Sequence, residues 1–205
     1  LSINLLFRPN SIQEICNSLK NIYVNIRLTK NETRILAPRG LNLQTYYQGI
    51  KGLLPEWVLQ VDNAFSQGKL GVDILLCGVD SKAHIFQIKD PGESDCFDSI
   101  GFDAIGSGNM HAFSSFTLHK YSPNLPLPKA LYLCYLAKRS SERAPGVGPE
   151  TDILIIDNKS AYRVTHDELK ILENIYKEES ALELKELTEL NNIKGEMIGN
   201  NGKDS

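Results

Sequence analysis

The sequence predicts an α+β domain built on antiparallel sheets. Three observations lead there. Apolar residues recur at helical spacing in the first third, switch to strand-like runs near residue 72, and return to helical spacing after residue 108. The links between the predicted central strands are too short for parallel crossovers. The elements run as strand, two helices, three strands, two helices, strands and a tail helix, which is not the strict alternation of a Rossmann fold.

Each element has its own signal. Residues 1–7 alternate weakly and read as a strand stopped by Arg8-Pro9-Asn10. Ser11 with Glu14 three residues on is a capping-box pattern, and Ile12, Ile15, Leu19 and Ile22/Tyr23 carry a helix to about residue 26. Residues 29–41 are polar, contain Pro38 and Gly40, and read as a connector. A second helical pattern spans 42–66, with a kink or restart at Pro55 and a stop at Gly68. Residues 72–79 form a nearly continuous apolar run, as in a buried strand. Asp80-Ser81-Lys82 turns, and 83–88 alternates, with Ile85 opposite Phe86 and Ile88. Asp90-Pro91-Gly92 turns again, and 100–105 reads as a third strand. Helices follow over 109–119 and 126–143; in the second, Leu127, Ala130, Leu131, Cys134, Tyr135 and Lys138 share a face. Residues 144–149 are a loop, 152–156 and 160–165 are strands, and 167–190 is an acidic amphipathic helix with a frayed end from Asn191.

The chain has 205 residues, 41% of them apolar and 23% charged, values of a globular domain with or without appendages. The net charge of −3 excludes a strongly basic nucleic-acid binder. Acid gathers at the end, where eight acidic residues between Asp167 and Glu189 face three lysines. No run of 18 apolar residues suits a membrane span, and Leu1–Phe7 lacks the basic start of a signal peptide. Cys16, Cys77, Cys96 and Cys134 are scattered, with no CxxC pair. They read as mostly buried thiols in a reducing, cytoplasmic setting. The chain opens on Leu1 and its methionines are Met110 and Met197, so a processed product or a piece of a longer chain is expected.

Gly106-Ser107-Gly108 follows a predicted strand and opens a predicted helix, where backbone amides could hold an anion and Ser107 could line a site. It is neither a dinucleotide fingerprint, since His111 stands at the third glycine position, nor a P-loop. The alternative is a plain structural turn. His84, His111, His119 and His166 lack metal-ligand spacing and read as surface or packing residues. No Gly-x-Ser-x-Gly elbow or Cys/His pair supports a catalytic triad. Asp73, Asp80, Asp90, Asp98, Asp103 and Asp152 adjoin strands and turns and read mostly as turn formers. Trp57 and the tyrosines read as core.

From Ile74 to Ile156 the order of short motifs resembles a β-type proteasome subunit of the N-terminal nucleophile (Ntn) hydrolase superfamily. The residues are Leu75-Leu76-Cys77-Gly78-Val79-Asp80, His84-Ile85-Phe86-Gln87-Ile88 and Asp90-Pro91-Gly92. They continue with Ala104-Ile105-Gly106-Ser107-Gly108 and Ala112, Ala130 with Ala137-Lys138, and Pro145-Gly146-Val147-Gly148 before Thr151-Asp152-Ile153-Leu154-Ile155-Ile156.

The resemblance implies a four-layer αββα sandwich over residues 1–165 with its first strands absent, and an acidic helix with a flexible tail over 166–205. Leu1–Phe7 would be the last strand of a missing pair of hairpins, roughly 40 residues or more. The implied activity is threonine-type peptidase hydrolysis of amide bonds, with an N-terminal Thr as nucleophile and its own amine as base. Leu1 has neither hydroxyl nor thiol, so the nucleophile is expected outside this chain, which alone would be inactive. Ser107 maps to the family's supporting serine near that amine, with Gly106 and Gly108 as its binding turn. Protein or peptide substrates and a homo-oligomeric ring, or a ring with related subunits, are implied. No metal, organic cofactor, nucleic acid or membrane is. Ala144 and Val147 stand where active family members carry Asp and Ser, so a non-catalytic ring subunit is one alternative and a divergent Ntn amidase or ligase another. A nucleotide-binding protein is a distant further one.

Overall fold

The computed structural model describes the backbone of residues 11–200 and the side chains of residues 11–186. The strand expected at 1–7 lies outside the described residues. The rest is α+β, with six α-helices and two small antiparallel sheets among the described residues.

Helix α1 spans Ile12–Ile35. Its start is the expected one: the Ser11 hydroxyl accepts from the Glu14 N–H at 3.2 Å. Its length corrects the sequence reading, which ended it near residue 26. The polar stretch beyond is helical because its side chains meet the carbonyl end of another helix. Arg27 donates to Gly68 O at 2.7 Å and to Phe65 O at 2.9 Å, and the Asn31 amide reaches the same two oxygens at 3.4 Å. Four-residue spacing puts 27 and 31 on one face, so a polar stripe here is an interface rather than a loop. Leu36 is fully buried where the helix ends, and Gly40, at φ 69, completes a single 3-10 turn.

Helix α2, Leu43–Gly49, starts with an Asn42/Thr45 capping box. Pro55 restarts the chain as α3, Pro55–Gln67, occupying a first-turn position that needs no N–H. Ile35, Leu36, Tyr46 and Val61 close a core between these helices, with Trp57 packed edge-on against Tyr46 at 5.7 Å.

Strands β1 (Ile74–Val79), β2 (Ala83–Lys89) and β3 (Glu93–Cys96) form a meander in the order β1-β2-β3. Val79 pairs with Ala83 and Lys89 with Glu93, so both links are three-residue turns. Asp80 caps the first with its carboxylate, and Gly92, at φ 121, makes the second. The third strand therefore comes earlier than the expected 100–105. There the chain leaves the sheet: the Ile100 and Gly101 N–H groups fold back on Phe97 O, and Gly101 takes φ 79. The apolar residues of 100–105 serve another partner, since Phe102 stacks within 4.6 Å of Phe116.

Helix α4 (Asn109–Leu118) and helix α5 (Leu127–Ser141) form an antiparallel pair sealed by Ala112, Phe116, Leu133, Leu136 and Ala137. That sealing face is not the one the spacing suggested. The stripe with Leu127, Ala130, Leu131 and Cys134 borders an open cleft instead. Strands β4 (Leu154–Ile156) and β5 (Ala161–Arg163) pair as a short ribbon. Helix α6 runs from His166 to Asn200, past the expected end near residue 190. Its first half packs on α5 through Leu172 and Tyr176, and Tyr132 donates to Glu179 at 2.6 Å.

The cysteines correct a further expectation. Cys16 is buried under the sheet, but Cys77, Cys96 and Cys134 are exposed. Cys77 and Cys134 line the open cleft, and Cys96 ends the edge strand β3. No helix among the described residues is long and apolar enough to cross a membrane.

Candidate functional site

The Gly106-Ser107-Gly108 turn delivers the chain into α4, and each glycine is required for a different reason. Gly106 sits at φ 94 with open space around its α-carbon, so its demand is conformational. Gly108 has an ordinary φ, but a β-carbon there would lie 2.8 Å from Ser141 Cβ and 3.0 Å from Ser141 O. Its demand is close approach, and the Ser141 hydroxyl fastens the contact, 3.2 Å from Gly108 O and 2.8 Å from Ala137 O. Ser107 is thereby held exposed between two fixed points.

It lines a cleft of about 720 Å3. One wall is Ala104–Asn109 with Ala112; the other is the loop Gly146–Glu150. Lys138 ties the two together. Its ammonium donates to Glu142 at 2.9 Å and to Gly148 O at 2.7 Å, while Glu142 also holds Arg139. The lysine charge is therefore neutralised where it stands, and its visible role is to fasten the loop to α5.

The expected anion cradle is mostly occupied from within. Asn109 N–H bonds Gly106 O, Met110 N–H bonds the Asn109 side chain at 2.7 Å, and His111 N–H bonds Gly108 O. What remains at the turn are the Ser107 and Gly108 N–H groups, which have no acceptor among the described residues, and the Ser107 hydroxyl. The hydroxyl is the part a side-chain change can remove. It can position an amine, a water or a carbonyl. It makes no hydrogen bond to Lys138 or Glu150, the titratable groups of the cleft, and so lacks the bonded base that activates a serine nucleophile.

A larger cleft, of about 790 Å3, lies among α1, α2 and α3. Its charged groups are committed: Arg27 to carbonyls at the end of α3, and Asp62 to the Tyr46 hydroxyl at 3.4 Å. It reads as an imperfectly filled helix junction.

The sequence reading missed one cluster. His84 lies with Nδ1 2.8 Å from Asp98 and Nε2 3.1 Å from Asp80, and Lys82 reaches Asp98 at 3.2 Å. Asp80 also accepts from the Ile12 N–H, which joins the start of α1 to the β1–β2 turn. That bond, with those from Ser81 and Lys82, holds the Asp80 carboxyl well below the usual range. Burial of Asp98 opposes its ionisation, but bonds from Ile85 N–H, Cys96, Lys82 and His84 outweigh burial and hold it at about 2. The Asp80/His84 spacing across a tight turn was the only signal in the sequence. Asp98 comes from fourteen residues further on and gave none. With every charge answered, the cluster is a structural knot rather than a reaction centre. His119 caps its own helix through Ser115 O. The described residues contain no group of three His, Cys, Asp or Glu side chains placed to hold a metal ion.

No protein-family model matches the chain, and comparison with curated proteins gives no match.

Proposed function

We propose that this chain is the supporting part of a proteasome-like Ntn hydrolase subunit, a threonine-type peptidase whose nucleophile comes from outside residues 11–200. The observation that carries the reading is the Ser107 hydroxyl, exposed on an open cleft by a turn that Gly106 and Gly108 fix. An antiparallel meander, the paired helices α4 and α5, and a glycine-rich loop facing the turn accompany it in the chain order that the resemblance implies. On this reading the β1–β3 sheet and the β4–β5 ribbon belong to the two inner layers of a four-layer αββα sandwich.

The chain's own residues would position rather than attack. Ser107 would hold a nucleophile's amine by hydrogen bonding. Lys138, neutralised by Glu142, would keep the Gly146–Glu150 wall in place against an extended peptide substrate.

A second reading, a non-catalytic ring subunit, is favoured by Ala144 and Val147. Ala144 is buried, and neither side chain can donate or accept a hydrogen bond in the loop beside the cleft.

The test is N-terminal sequencing of the native protein, with hydrolysis of fluorogenic peptides by wild type and Ser107→Ala. A mature N-terminal Thr, with kcat lowered about 10²-fold in the variant at unchanged fold, is the expected result. A non-nucleophilic N-terminus would leave the scaffold reading. Unchanged turnover in the variant would remove Ser107 from the site.

A further inference from the structure

Cys16 is a buried thiol that the hydrolase reading leaves without a role. Its place over the sheet follows from how α1 is pinned at both ends. At the start, the Ile12 N–H donates to Asp80 in the β1–β2 turn, which also bonds His84. Further along, Val24 lies over the next turn, where a β-carbon on Gly92 would fall 2.4 Å from its Cγ2. A helix advances about 6 Å in four residues, and a strand about 6.6 Å in two. Four residues along α1 from Ile12 therefore match two along β2 from His84. Cys16 comes level with Phe86, and the two share one core cluster. The register partner of Phe86 is Cys96, on the edge strand β3.

Residues directly opposite in an antiparallel pair point to the same face. Ser94 and Cys96, opposite Ile88 and Phe86, therefore turn toward α1. There the Ser94 side chain hydrogen-bonds the Cys16 thiol, and Cys96 lies within electrostatic reach of it. The Cys96 thiol in turn bonds Asp98, in the knot that holds the Ile12 N–H. The two thiols differ in access. Cys16 is 0% exposed, and burial pushes its thiol up, so it stays protonated and shielded. Cys96 is exposed on the strand edge. Cys77 and Cys134 belong to the cleft on the opposite face of the sheet.

We propose that Cys96 and Cys16 form a redox pair: a hydroperoxide oxidises exposed Cys96, and buried Cys16 resolves it into a disulfide that ties α1 to β3. In the first step the Cys96 sulfur bonds to a peroxide oxygen, the O–O bond breaks, and the thiol proton goes to the departing oxygen. With hydrogen peroxide the products are a sulfenic acid and water. In the second step the Cys16 sulfur displaces the hydroxyl from Cys96, and the Cys16 proton leaves with it as water. Two thiols lose two electrons and one peroxide gains them. The proposal is independent of the hydrolase reading.

The test treats the full chain with hydrogen peroxide, blocks the remaining thiols with N-ethylmaleimide, and maps unreduced peptides by mass spectrometry. The Cys16 and Cys96 peptides should appear joined, about 2 Da lighter than their sum, and dithiothreitol should part them. The thermal midpoint should rise by about 10 °C on oxidation and fall back on reduction. In Cys96→Ser, a change on an exposed edge, Cys16 should escape both peroxide and N-ethylmaleimide. In Cys16→Ser, with circular dichroism unchanged, dimedone should capture about tenfold more Cys96 sulfenic acid than in wild type. Three results would overturn the proposal: no joined pair at millimolar peroxide; Cys16 joined to Cys77 or Cys134 as often as to Cys96; or a Cys16–Cys96 pair that forms only once urea has unfolded the chain.

Discussion

On one face of the β1–β2 sheet, Phe86 and Ile88 are 4% and 0% exposed beneath α1, beside Cys16 and Tyr23. On the other face Cys77 is exposed, and Leu75 and Ile85 border an open cleft. The side chains on the two faces are alike in hydrophobicity. What differs is the neighbour: α1 is fastened across the first face by Ile12 on Asp80 at one end and by the Tyr23 hydroxyl on Val72 O at the other. Apolar composition makes a face coverable, and a specifically anchored element is what covers it.

The sharpest way to break this comparison is truncation on both faces. Ile88→Ala should cost about 2–5 kcal/mol in urea unfolding, as deletion in a closed core does. Ile85→Ala should cost about 1 kcal/mol, because its surroundings are already open to water. Equal losses would mean that the second face is covered in solution. Next in size is the pair of glycines. Gly108→Ala forces a β-carbon onto Ser141 and should cost about 1–3 kcal/mol. Gly106→Ala meets only its backbone preference and should cost about 1–2 kcal/mol.

A smaller effect is pH-dependent. Asp98 sits at about 2 in the folded chain against an ordinary 3.8. A depressed carboxylate stabilises the fold above its unfolded value, and that contribution drains away as pH falls from about 4 toward 2. Thermal midpoints measured between pH 5 and 2 should fall more steeply for wild type than for Asp98→Asn. Parallel slopes would deny the knot its role. Smallest of all, Leu154→Thr on the exposed ribbon should change stability by less than about 0.5 kcal/mol. A larger loss would show that the ribbon is covered.

Much of the site was legible because it is local. The glycine-flanked Ser107 opens α4 as its sequence suggested, and α4 ends within a residue of where its pattern stops. The reasons for the two glycines were not legible, because Gly108 answers to Ser141, thirty-three residues away. The apolar run at 100–105 shows the same limit. Its composition suits a strand, yet it packs on α4 because β3 had already taken the edge of β2.

The sequence by itself determined where elements begin and turn. Ser11 with Glu14, Pro55, Asp80 and Gly92 each act on backbone groups within a few residues, so their effect is written beside them. Tertiary structure decided how far elements run and which faces they hide. Helix α1 reaches Ile35 because Asn31 finds the carbonyl of Gly68, thirty-seven residues on, and the stripe of α5 that looked like core borders a cleft because α4 took the opposite face. Capping is satisfied by neighbours in the chain, whereas burial needs a partner that only the folded arrangement supplies.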